Sequence, residues 1–102
     1  MALRPDLLDD AFTVYLAWGP ELERPASVRL QDRRPEMSAE GVEEALAFCR
    51  RALEEALPLG DEYAARRLDY RQLRAALCAR YPMLSPEVMD KLANRVCYDA
   101  VI

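Results

Sequence analysis

Histidine is absent from this 102-residue sequence, lysine occurs once, at Lys91, and glycine three times, at Gly19, Gly41 and Gly60. Without an imidazole, a metal site loses its commonest nitrogen ligand and a serine or cysteine nucleophile loses its usual base. Three scattered glycines cannot make a P-loop or a GxGxxG turn, so no phosphate cradle and no nucleotide cofactor are expected. Cysteine is equally sparse. Cys49, Cys78 and Cys97 stand 29 and 19 residues apart with no CxxC pair, and an odd number at such spacings reads as reduced thiols packed as small hydrophobes in a cytoplasmic protein. No apolar run is long enough for a membrane span, and the opening MALRPDLLDD has acids where an export signal would be apolar. The expectation is a non-enzymatic chain with no cofactor, no metal, no membrane and no small-molecule substrate.

What the sequence does have is apolar content and charge together, 52% hydrophobic and 31% charged residues, too apolar for a disordered chain. At this length one domain, 1–102, is the default. Thirteen arginines against one lysine are the usage of a GC-rich, bacterial-type genome. Residues 1–48 carry five basic and ten acidic groups, net −5, and residues 49–102 nine and eight, net +1. The acidic total weighs against a dedicated nucleic-acid binder, which needs a positive field at its phosphate contacts.

The most regular stretch is Ser38 to Leu57. Val42, Ala45, Leu46, Cys49, Leu53, Ala56 and Leu57 recur at the period of one helix face, and Phe48 and Ala52 widen it to about half the circumference, more than the ~100° a single neighbour covers. Ser38 is its expected cap with Met37 stapled on Val42. Pro58 and Gly60 are expected to end it, and Asp61 to Leu68 to form a separate short helical piece.

Before it, Leu8, Ala11, Phe12, Tyr15 and Leu16 predict a helix over 5–18, favoured by pattern length over a strand for FTVYLAW. Residues 19–37 hold Pro20, Pro25 and Pro35 and read as a proline-rich connection. Within it the alternation of Val28 and Leu30 has room for a short strand, which would pair in a two-stranded β ribbon. After it, Asp69 and Gln72 have the spacing of a capping box for a helix to about Arg80, and Ser85-Pro86-Glu87 opens a last helix. The predicted fold is all-α, four to five helices in an orthogonal or bundle-like arrangement, with Val42, Leu46, Cys49, Leu53, Leu73, Leu77, Leu92 and Val96 in the core. The motif R-x-P-x-Φ-S-x-E occurs twice, at Arg33 and Arg80, 47 residues apart; shared cap chemistry explains it more simply than a duplicated unit, since the likeness fades beyond the cap.

Two functional readings follow. The favoured one is a small accessory or adaptor protein that works through protein–protein contacts and self-associates as a homodimer, with Phe12, Tyr15, Trp18, Leu22, Val28 and Leu30 at the interface. The alternative is a helix-turn-helix-like nucleic-acid binder built on residues 67–97, in which Arg67, Arg71 and Arg74 form a basic stripe on the first helix and Lys91, Asn94 and Arg95 are available on the second. Glu87 and Asp90 at the start of the would-be recognition helix oppose that use. Cys78, sharing a face with Arg71 and Arg74, is the best candidate for a reactive thiol, though an inert cysteine is the plainer reading. The carboxylate pairs Asp9-Asp10, Glu43-Glu44 and Glu54-Glu55 fall on faces expected to be solvated, whereas acid–base work needs burial or a close like charge.

Overall fold

Helix-forming periodicity runs through much of the chain, and the computed structural model accordingly holds five helices among the described residues. They are α1 (Pro5–Tyr15), α2 (Ala26–Arg33), α3 (Ala39–Ala64), α4 (Tyr70–Arg80) and α5 (Pro86–Val101). The structure describes residues 4–17 and 24–101. There is no strand among them, so the ribbon expected in the first third is replaced by helix. Residues 26–33 coil because Leu30 alone needs full burial, which one helical face supplies, and Val28 is left 42% exposed rather than paired across a sheet. Contacts divide the chain into two units, Met1–Arg51 and Ala52–Ile102, and α3 contributes to both.

In the first unit Leu8, Phe12, Leu16, Leu30, Val42, Ala45 and Cys49 are buried. Phe12 meets Phe48 edge to face with ring centroids 6.2 Å apart, the arrangement aromatic quadrupoles prefer. Polar contacts tie α1 to α2. Arg29 donates at 2.8 Å to the Val14 carbonyl, which also accepts the Ala17 N–H at 3.3 Å at the end of α1. Asp10 receives Arg33 at 2.7 Å and also Arg34. Burial raises the Asp10 carboxyl's pKa, but the hydrogen bonds and charges of these two guanidinium groups outweigh it and hold the carboxyl below its ordinary value.

In the second unit α4 and α5 pack on each other through Leu73, Leu77, Val88, Met89, Leu92, Ala93 and Val96, all buried. The capping box at Asp69 forms as expected. The Gln72 N–H donates to Asp69 at 2.8 Å and the Asp69 N–H to the Gln72 side chain at 2.9 Å. Tyr81 donates its hydroxyl to Glu55 at 3.1 Å while Arg80 pairs with the same carboxylate at 3.0 Å. Glu55 thus fastens α3 to the end of α4. Burial, then that hydrogen bond, raises the Tyr81 pKa.

Two further sequence expectations need correction. Pro58 does not end the helix: α3 runs unbroken for 26 residues, absorbing the piece predicted at 61–68 as far as Ala64. It stops where Arg66, not a glycine, takes φ 63°, and the Arg67 N–H turns back to the Glu62 carbonyl at 2.9 Å. Leu46 and Leu53, predicted as core, are half-buried, and Leu57 is exposed.

The repeated motif has a structural counterpart. Arg34 and Tyr81, each following a helix, have closely similar backbone angles, φ −130° and ψ 75° against φ −126° and ψ 61°. Each N–H returns 2.8 Å to a fully buried leucine's carbonyl, Leu30 and Leu77. Ser38 then accepts from Gly41 at 3.0 Å and Ser85 from Val88 at 3.3 Å. The match extends past the cap, for Met37, Val42, Ala45 and Cys49 are buried and so are Leu84, Met89, Leu92 and Val96, each 47 residues later.

Candidate interaction groove

The C-terminal half of α3 buries Ala52, Ala56 and Gly60 at i, i+4 and i+8. Small side chains at that spacing let a second helix approach closely, and α5 does so at Gly60. A Cβ placed on Gly60 would lie 3.3 Å from both the Ala100 Cβ and a Val96 methyl, which is why glycine serves at this mid-helix position despite its helix penalty. Such a stripe fills little space. The next row of α3, Leu53 and Leu57, therefore stands beside α5 without enclosing anything, and an open groove of about 250 Å³ remains.

Leu53, Leu57, Gly60, Val96 and Ala100 form the apolar lining of this groove, and Glu54, Asp61 and Asp99 its charged rim. Leu57 is 58% exposed. On the rim, Asp99 is paired with Arg95 at 3.2 Å; Glu54 and Asp61 are in no ion pair among the described residues. Pro58, one residue past Leu57, has no N–H to donate to the Glu54 carbonyl, so that carbonyl lacks its intrahelical donor. No group here is a nucleophile with a neighbouring base. Among the described residues, no three histidine, cysteine or acidic side chains are grouped to hold a metal ion.

The residues singled out from sequence lie elsewhere. Phe12 and Leu30 are fully buried in the first unit, Tyr15 is half-buried, Val28 is exposed, and Trp18 and Leu22 lie outside the described residues. Of the basic set, Arg67 sits in the turn before α4 and is held by Glu62 at 2.5 Å. Arg74 is paired with Asp90 at 2.6 Å and Arg95 with Asp99, while Arg71, Lys91 and Asn94 are exposed. Two of the three arginines of the expected stripe thus carry a carboxylate partner. Cys78 is half-buried, with an Arg74 N–H 3.6 Å from its sulfur. Cys49 is fully buried, and burial pushes its thiol up to about 12.

Sequence reading missed the groove because it placed Leu57 on the buried stripe of α3. The available signal was the width of the apolar arc on α3, too broad for the packing that small residues permit. No protein-family model, curated protein or solved structure matches the chain.

Proposed function

We propose that this chain is a non-catalytic interaction module that receives apolar side chains of a partner protein in the groove between α3 and α5. The observation that carries this reading is Leu57, an exposed leucine at the mouth of an apolar groove. Fully burying a leucine contributes about 1.5–3 kcal/mol. With 58% of Leu57 in water, about half of that is realised only when something covers it. A scattered surface leucine is ordinary; one that continues into a lined concavity is the anatomy of an interface core with a polar rim. The groove is small, which fits a transient contact of an accessory or adaptor protein better than an obligate one. Three cysteines without a disulfide support a reducing, cytoplasmic setting, and no helix among the described residues is long and apolar enough to cross a membrane.

A display selection of helical peptides on immobilised wild-type chain and on Leu57→Asp tests the reading. Leu57 is exposed, so the variant keeps its fold, which an unchanged thermal midpoint verifies. Sequences enriched on the wild type and lost on the variant are the expected result. Equal enrichment on both, or none on either, overturns the function.

A further inference from the structure

We infer that the occupant of the groove is a basic amphipathic helix. This inference rests on the proposed function and names its partner's chemistry. Size is the first argument. Pockets for drug-sized ligands run to roughly 300–1,000 Å³ and enclose most of the ligand, whereas about 250 Å³ of open groove holds one or two side chains of the leucine class. Insertion of such anchors from one helical face is the helix-in-groove mode of recognition.

Charge decides what flanks the anchors. Three carboxylates rim the groove; Arg95 is paired with Asp99, and Arg67, itself paired with Glu62, acts on Asp61 through its charge without an ion pair. Glu54 and Asp61 are seven residues apart on α3, two turns or about 10 Å along its axis, with Leu57 between them. A helix laid beside α3 with Lys or Arg at i and i+7 and apolar residues at i+3 and i+4 places each cation near one carboxylate and its anchors over Leu57. A second copy of this chain fits worse. In a two-fold interface the same patch meets itself, so Glu54 and Asp61 would face their own equivalents. Nucleic acid and anionic lipid are disfavoured by the same rim.

The test uses three roughly 16-residue helical peptides with identical leucine anchors and Lys, Gln or Glu at the two flanking positions. Binding is read by fluorescence anisotropy on the whole chain. Two exposed ion pairs make the Lys peptide about five-fold tighter than the Gln peptide, and the Glu peptide weakest. The gap narrows between about 50 mM and about 300 mM salt as screening shortens, and it closes on the Glu54→Gln, Asp61→Asn double variant. Equal binding of Lys and Gln peptides, both lost on Leu57→Asp, overturns the basic partner and leaves the interaction module standing. A Lys preference that survives the double variant overturns the assignment of the rim. Sedimentation showing a dimer that depends on Leu57 replaces the peptide with a second copy and also overturns the inference. If no peptide binds, the basic helix is excluded, and the display selection alone then judges the function.

Discussion

Replacing Pro58 by alanine is expected to stabilise this protein. Pro58 lies inside a helix that continues six residues beyond it to Ala64, and its side chain is exposed, so little packing is lost with the ring. A proline in a helix interior costs about 3 kcal/mol relative to alanine, because it removes one backbone hydrogen bond and crowds the preceding turn. Alanine restores the donor for the Glu54 carbonyl and relieves the restriction on Leu57. Against this, alanine enlarges the unfolded ensemble, which takes back about 0.4–1 kcal/mol. The balance is about 2 kcal/mol in favour of Pro58→Ala. With a urea slope near ~2 kcal/mol per molar, the unfolding midpoint moves up by about 1 M. Urea titration followed by far-ultraviolet circular dichroism measures it. An unchanged or lowered midpoint at the same slope would refute the reasoning, since it would mean that the helix does not run through position 58.

Four further outcomes are expected. Leu77→Ala, at a fully buried position, costs about 2–5 kcal/mol in chemical denaturation through transfer and cavity terms, whereas exposed Leu57→Ala stays within about 0.5 kcal/mol. Gly60→Leu costs about 1–3 kcal/mol by the same assay, because the added side chain begins 3.3 Å from Val96 and Ala100. The Asp10 carboxyl is held below its ordinary value, so its stabilisation is fully present above about pH 4 and is lost as pH falls through the folded-state pKa; Asp10→Asn weakens the protein at neutral pH and flattens that part of the acid limb in pH-resolved denaturation. Iodoacetamide near neutral pH modifies half-buried Cys78 first and leaves Cys49 unmodified until urea unfolds the chain, as peptide mass mapping will show.

Helix caps were the most legible part of the fold, because their chemistry is local. Ser38, Asp69 and Ser85 each accept the backbone N–H three residues on, and Gln72 closes its box. The helix stop at Pro58-Gly60 was misread for the opposite reason. Local propensity ends a helix there, but the contact of Gly60 with Val96 and Ala100 is non-local and outweighs it. The strand expected around Val28 and Leu30 failed because two alternating apolar residues do not separate a strand from one turn of a half-exposed helix. The 47-residue echo was under-read, since its later positions conserve burial and not residue type: Cys49 answers Val96 and Ala45 answers Leu92. The groove was not legible, because it is space left unfilled between helices.

Between Leu57 and Arg66 the chain departs from the helical rules four times, with an exposed leucine, an internal proline, a buried mid-helix glycine and a left-handed arginine. Each departure has a separate physical cost, and only two have an evident structural return. Gly60 admits α5, and Arg66 ends the helix in a turn closed by the Glu62 carbonyl. Leu57 and Pro58 have none among the described residues: alanine at either position leaves the buried row of Ala52, Ala56 and Gly60 intact. Uncompensated departures from local consistency are expected where a protein does something besides fold. These two adjoin the same groove, one as an exposed apolar group of its lining and the other leaving the carbonyl of the rim residue Glu54 without its intrahelical donor. That coincidence supports the proposed reading of the α3–α5 groove over ordinary loose packing, for a packing defect gives no reason for a neighbouring residue to weaken the helix that forms its wall.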